Sequence, residues 1–214
     1  MRTLVDNWDV FVEGFTNTLL LLAVSAVGSL LLGTLLAAMR VSPVGALRVA
    51  GTAYVNFLRN TPLTVVFFLI VFGFPALGLD VSFFTRAVLS LTLYTAAFIC
   101  EALRSGINTV PVGQAEAARA VGMTFTQTLS LVVLPQAVRA VVPPLASVLI
   151  AMTKNTTIAA GFSVPEAGSI RAVLSERGYP VVWGLLWVAL GFLILIIPMS
   201  YAQRRLERRW AVGR

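Results

Sequence analysis

Long apolar runs, separated by short segments that carry most of the charged residues, dominate the pattern of this chain. A helix needs roughly 20 apolar residues to cross the hydrocarbon core of a bilayer. Five runs meet this requirement and predict five transmembrane helices, at residues 15–39, 61–79, 86–107, 144–164 and 179–202. The first run follows Asp6, Asp9 and Glu13 and is too long for a cleavable signal peptide, so we expect it to remain as a helix.

Composition agrees with this pattern. Of the 214 residues, 58% are hydrophobic and 12% are charged, and the mean hydropathy is +0.89. These values indicate a single, all-α integral membrane domain over residues 1–214. The net charge of +7 comes from basic residues at the ends of apolar runs, which argues against a nucleic-acid-binding face. With no histidine and one cysteine, Cys100, inside an apolar run, we expect neither a metal site nor a disulfide framework.

The arginines fall unevenly on the two sides of the predicted membrane domain. Most lie in the loops after the first and third runs and beyond the fifth, and the opposite side holds Arg2, Arg86, Arg171 and Arg177. Because Arg and Lys are retained on the cytoplasmic side, we expect the amino terminus outside and the carboxyl terminus inside. The polar segment 108–143, called the coupling loop below, is then cytoplasmic.

Local signals divide the coupling loop into two short helices. The alanine-rich stretch 115–121 favours a helix, and Gly122 can take the left-handed conformation that ends one. Thr124, with Gln127 three residues on, approximates a capping box and predicts a second start. Pro135 is expected to interrupt this second helix. Exposed alanines would let a partner backbone approach closely, although a plain surface helix of good helix formers is the alternative interpretation.

The spacing of the whole loop resembles the cytoplasmic signature of permease subunits of bacterial ATP-binding-cassette importers. Glu-Ala-Ala is followed after three residues by Gly, and after nine more by a β-branched residue, one residue and Leu-Pro. In that family the loop forms coupling helices that sit in a groove of the ATPase subunit, within the type I importer permease fold. The resemblance places the following residues at the ATPase: Glu116, Ala117, Ala118, Arg119, Gly122, Leu134 and Pro135.

Three further motifs resemble the polar amino-acid branch of these permeases. They are Arg59-Asn60-Thr61-Pro62, the heptapeptide Glu101 to Ile107, and Lys154-Asn155-Thr156-Thr157. The amino-acid sequences of these motifs are most similar to those of glutamate permease subunits, although many branch members have glycine and aspartate in place of Asn60 and Asn155. Together with the loop they cover most of the chain, in the family's order and helix count.

The resemblance implies an assembly in the bacterial cell membrane. An external binding protein would deliver the amino acid, two permease chains, identical or different, would form the path, and cytoplasmic ATPase subunits would use ATP and Mg²⁺. This chain would bind no cofactor. Its single lysine, Lys154, lies outside any Gly-x-x-x-x-Gly-Lys-Ser/Thr phosphate loop, and no nucleophile and base are paired, so we expect a non-catalytic subunit.

Polar residues inside the fourth run predict the translocation path. Lys154, Asn155, Thr156 and Thr157 cannot all face lipid, because a mid-membrane lysine alone costs about 3 kcal/mol. They are expected to line the path, with Lys154 attracting a substrate carboxylate. The alternative is a structural pair of Lys154 with Glu101 or with a helix-end carbonyl.

Thr61 is a second candidate for the path. It can cap a helix that starts at Pro62, which would leave a positive helix end near the inner membrane face. For Glu101 the spacing to Arg104 favours a structural pair within one helix. The stripe of Ser29, Gly33 and Ala37 is expected to face protein.

Two other functions remain open from the sequence alone. One is a stand-alone ion-coupled transporter or channel, in which Lys154 and Glu101 form a charge relay. The other is a scaffold that does not transport. Five helices are few for a gated path and no internal repeat is visible, which argues against a self-sufficient carrier.

Overall fold

The computed structural model describes residues 2–210, and every regular element in that range is helical. The α-helices are α1 Arg2–Val5, α2 Trp8–Val41, α3 Gly45–Arg59, α4 Leu63–Ala76, α5 Phe83–Asn108, α6 Val112–Ala120, α7 Phe125–Gln127, α8 Leu134–Asn155, α9 Ile170–Glu176 and α10 Val181–Trp210. A π-helical segment, Thr128–Val133, joins α7 to α8, and 3₁₀ turns cover Thr156–Phe162 and Ala167–Ser169.

The predicted all-α membrane architecture is confirmed. Four continuous helical stretches are long and apolar enough to cross a bilayer: Trp8–Val41, Phe83–Asn108, Phe125–Phe162 and Val181–Arg209. The pair α3 and α4, bent by 103°, brings the number of candidate spans to as many as five. The first and third spans extend a few residues beyond their predicted ends.

The second span differs from its prediction at residues 61–79. Helix α4 covers only Leu63–Ala76 and is preceded by α3, which no apolar run in the sequence predicts. Helix α3 is amphipathic, burying Gly51, Val55 and Leu58 while its other side stays exposed, so it forms no continuous apolar run.

Thr61 does not cap α4, contrary to its prediction. Its hydroxyl donates to the Phe57 carbonyl 2.8 Å away, in α3, and Pro62 is the residue that precedes α4. Because a proline disfavours helical backbone at the residue before it, α3 ends at Arg59 and the chain turns sharply. Thr61 therefore closes α3 instead of opening α4.

The predicted interruption at Pro135 is also wrong. Helical structure is continuous over Phe125–Phe162, so no break in the helix separates the coupling loop from the fourth span near residue 143. The π-helical segment ends at Val133, and the amide of the next residue, Leu134, donates to the Leu129 carbonyl five residues back. This wider hydrogen-bond spacing just before Pro135 accommodates a residue without an amide proton. Pro143 and Pro144 likewise lie inside α8.

Helices α2 and α5 form the centre of the fold through small residues. The Ser25 and Ser29 hydroxyls donate to the carbonyls of Val88 and Thr92, 3.5 and 3.3 Å away. Gly33 is buried against Ile99. The stripe predicted to face protein therefore packs on α5 of the same chain, which is the close approach that small residues permit within a membrane.

Candidate translocation path and coupling loop

The coupling loop turns at the predicted glycine. Helix α6 ends and Gly122 follows with φ +86°, in the left-handed region. Two backbone amides then close the end of the helix, Gly122 donating to Arg119 at 3.0 Å and Met123 to Ala118 at 3.1 Å. This is the pattern that favours glycine after a helix, because a side chain there would be strained.

The capping box at the next helix is also confirmed. The Gln127 amide donates to the Thr124 hydroxyl at 3.3 Å, and the Thr124 amide donates to Gln127 Oε1 at 2.9 Å. Both ends of the turn are thus fixed by short-range bonds.

The predicted contact residues of the loop do not all face outward. Glu116, Ala117, Arg119 and Gly122 are exposed. Ala118 is only 7% exposed, however, because α6 packs back against the π-helical segment. Its methyl group packs within the loop, so of the predicted contact residues Ala118 is the least accessible in the chain alone, and its contact with a partner stays a prediction.

Exposed apolar side chains on the loop are a feature that sequence analysis missed. They are Val112, Val121, Phe125, Leu131 and Leu134, each more than half exposed. A groove of about 400 Å³ lies beside them, lined by Ser130, Leu134, Pro135, Val138 and Arg139. A cluster of this kind on a polar segment is typical of a surface that another protein covers.

The charge cluster around Glu101 contradicts the suggested pair with Lys154. The Glu101 carboxylate accepts a hydrogen bond from Arg40 and another, at 3.0 Å, from Arg104, and Arg59 lies 3.7 Å away. Lys154 is exposed and takes no part in this cluster. Glu101 thus joins α2, α3 and α5, which is the structural role expected of it, and a charge relay with Lys154 has no support here.

Of the residues predicted to line the translocation path, one lines a cavity and the others do not. Asn155 lines a cavity of about 150 Å³ between α5 and α8, together with Tyr94, Thr95, Phe98, Val148, Ala151 and Met152. Thr156 is fully buried and donates to the Thr153 carbonyl at 2.7 Å, while Thr157 donates to the Lys154 carbonyl at 2.8 Å. Neither threonine lines this cavity, and neither do Lys154 and Thr61.

A buried carboxyl group lies in the connection between the fourth and fifth spans. Glu166 is fully buried, and its Oε1 accepts from the Gly168 amide at 2.7 Å. Its Oε2 lies 3.0 Å from the hydroxyl of Thr18 in α2, which is also 3.0 Å from the Gly14 carbonyl. The single hydroxyl proton of Thr18 cannot be donated to both the Gly14 carbonyl and Glu166 Oε2. A proton on the Glu166 carboxyl group would supply the second hydrogen bond. No sequence motif indicated this group.

Burial raises the pKa of Glu166 to about 7, against the lowering effect of the bonds from Thr18 and the Gly168 and Ala167 amides. The folded protein therefore binds more protons than the unfolded chain between the ordinary carboxyl range and pH 7. The stability tied to this proton is complete at low pH and is lost as the pH rises towards 7.

Glu166→Gln should remove this part of the pH dependence, because the amide cannot ionise. We expect thermal unfolding of the detergent-solubilised protein to show that, between pH 5 and pH 8, the wild type loses roughly 2.5 kcal/mol more free energy of unfolding than the variant. Glu13→Gln, an exposed position in α2, is the matched control and should follow wild type. An unchanged pH profile in Glu166→Gln would contradict the assignment.

The chain is similar to known transport proteins over nearly its whole length. Residues 29–212 match the family described as binding-protein-dependent transport system inner membrane component. The glutamate transport system permease protein GluC of Corynebacterium efficiens is 45% identical, with 99% of each chain covered. The probable glutamine ABC transporter permease protein GlnM of Bacillus subtilis is 39% identical, covering 97% of this chain and 98% of its own.

Solved structures agree with these relatives. A crystal structure of an amino acid ABC transporter with histidines has a chain that superposes with a TM-score of 0.90 at 27% identity, covering 96% of each chain. An inward-facing MetNI methionine ABC transporter gives a TM-score of 0.73 at 25% identity, covering 94% of this chain and 96% of its own.

Proposed function

Because the chain belongs to the family of inner membrane components of binding-protein-dependent transport systems, we propose that it carries glutamate, or a closely related polar amino acid, through an ATP-driven importer. It is a multi-pass permease of the amino-acid ABC type. The proposed coupling to an ATPase rests on the structure of the coupling loop. This loop exposes Glu116, turns at a glycine and has an exposed apolar groove around Leu134 and Pro135.

The partners follow from this surface and from the family. ATPase subunits bind the coupling loop and supply ATP hydrolysis with Mg²⁺, a second permease chain completes the path, and an external binding protein delivers the amino acid. The amino terminus lies outside and the carboxyl terminus lies in the bacterial cytoplasm, since the arginine-rich loops then face inward.

A continuous helix provides the mechanical connection. Pro135, in the groove of the coupling loop, and Asn155, in the cavity between α5 and α8, lie on the same unbroken helical stretch. Twenty residues of α-helix span about 30 Å. Movement of the ATPase against the loop is therefore transmitted directly to the side chain that lines the path.

The cavity suits a small polar ligand. The Asn155 amide can both donate and accept hydrogen bonds, and Tyr94 and Phe98 supply aromatic contact. The Arg59 guanidinium carbon lies 5.8 Å from the centre of the Phe98 ring, which places positive charge close by. Lys154 and Thr157 do not line the cavity, but Lys154 is exposed one residue before Asn155, where its charge can attract a substrate carboxylate towards it.

Substrate charge can be tested at Lys154. In the assembled transporter, Lys154→Ala should reduce uptake of glutamate more than that of glutamine, because only glutamate has a side-chain carboxylate for the lysine to attract. Lys154→Arg, which keeps the charge, is the matched control. Labelled uptake of both amino acids, with unlabelled competitors, measures the ratio. Equal losses for the two substrates would show that Lys154 does not recognise charge.

A further inference from the structure

A polar groove that shares no lining residue with the cavity at Asn155 lies where α2, α3 and α5 meet. It is open to the surroundings and has a volume of about 630 Å³. Arg48, Thr52 and Asn56, four residues apart on one face of α3, line one side, and Arg40 of α2 and Arg104 of α5 line the other. All five side chains can donate hydrogen bonds.

The groove carries an excess of positive charge. The carboxylate nearest to its arginines, Glu101, already bonds to Arg40 and Arg104 and has Arg59 at 3.7 Å. Arg48 adds another cation, and it has no carboxylate partner within residues 2–210. In the same range the Nε atom of Arg104 is buried without a hydrogen-bond partner. The unmatched charge calls for an anion.

Exposed apolar side chains on α3 indicate which kind of anion binds in the groove. Leu47, Val49 and Phe57 of α3 are 41, 71 and 62% exposed, and Val49 also lines the groove. In a membrane protein such side chains suit contact with acyl chains, and a basic pocket between helices suits a lipid phosphate. A water-soluble anion would gain nothing from them.

We propose that this groove binds the phosphate headgroup of an anionic membrane lipid. Guanidinium groups bind phosphate oxygens in pairs of parallel hydrogen bonds, which Arg48 and Arg104 can supply from opposite sides, with Thr52 and Asn56 donating to the remaining oxygens. The site depends on the membrane placement of the chain and not on the identity of the transported amino acid. It ties α3, the helix that turns sharply into α4, to the lipid surface.

The test measures lipid retained by the assembled transporter in nanodiscs of mixed phosphatidylglycerol and phosphatidylcholine, by native mass spectrometry. Wild type should retain phosphatidylglycerol in preference to phosphatidylcholine. Arg48→Gln should weaken phosphatidylglycerol retention about fivefold, since one arginine near an anionic surface contributes on this scale. Arg208→Gln, an exposed arginine of α10, is the matched control and should leave retention unchanged.

Arg48 also donates to the Ser42 and Pro43 carbonyls, 2.8 and 3.0 Å away. Asn56→Leu leaves those bonds intact and should also weaken retention, so it decides the matter if Arg48→Gln fails to assemble. Wild-type retention in Asn56→Leu overturns the proposal, as does equal retention of the two lipids. Displacement of the lipid by inorganic phosphate at equal concentration would identify a free-anion site and would also overturn it.

Discussion

Glu116→Lys is expected to abolish ATP-driven uptake while the permease still inserts into the membrane. Glu116 is exposed on α6, beside the exposed Ala117 and ahead of the glycine turn. Reversal of its charge leaves the fold of the loop intact, because its side chain makes no ion pair within residues 2–210. It does place a cation where the ATPase is proposed to bind.

Three measurements together check this expectation: the amount of permease in the membrane, the ATPase that copurifies with it, and labelled amino-acid uptake. The first should match wild type, and the other two should fall to background. Glu176→Lys, an exposed glutamate in the connection on the other side of the fourth span, is the control for charge reversal. Normal coupled uptake in Glu116→Lys would exclude α6 from the coupling contact.

Gly122→Leu tests the same surface by changing its shape. With φ at +86°, a leucine is strained by about 1–2 kcal/mol, so the loop should change its turn and displace α6. No atom lies within 4 Å of a Cβ built there, so backbone conformation alone accounts for the effect. Gly122→Asn, which tolerates left-handed backbone, should keep most of the uptake that Gly122→Leu loses.

Gly106→Ala is expected to have the second large effect, on stability. A Cβ on Gly106 would lie 2.8 Å from the Cα and 2.9 Å from the backbone nitrogen of Val141. A side chain can rotate away from such a contact, but backbone cannot, so α5 and α8 must separate. Overpacking of this kind costs about 1–3 kcal/mol and should also disturb the cavity between these helices.

Gly73→Ala is the matched control, since nothing lies within 4 Å of a Cβ there and alanine favours helix by about 1 kcal/mol. Thermal unfolding of the solubilised protein should show a lower midpoint for Gly106→Ala and an equal or higher one for Gly73→Ala. Similar midpoints for the two variants would mean that α5 and α8 do not approach at Gly106 as closely as described.

The sequence predicted those elements that depend on local patterns. Helices α2, α5 and α10 follow from apolar runs, and the turn at Gly122 follows from capping chemistry that acts within a few residues. Helix α3 was missed because its buried residues recur at helical spacing among polar ones. The prediction at Pro135 failed because the preceding π-helical segment accommodates the proline.

The candidate sites were harder to predict because they depend on contacts between distant residues. Hydropathy shows that a charged residue lies within a membrane span, but it does not show which residue forms an ion pair with it. The local pair of Glu101 with Arg104 could be predicted from spacing and is confirmed, but a pair with Lys154 stayed open, and nothing in the sequence indicated the bond from Arg40, 61 residues away. Glu166 looks like an ordinary loop glutamate, and only the packing of its connection on Thr18, 148 residues earlier, buries it.

The central claim, that this chain transports by coupling to a separate ATPase, is tested most directly by reconstitution into liposomes. We expect labelled glutamate to enter only when the permease, its ATPase and its binding protein are all present with ATP and Mg²⁺, and uptake to cease when the ATPase is omitted. Ion-driven glutamate uptake by this chain alone, at a rate that the ATPase and ATP do not change, would contradict the account.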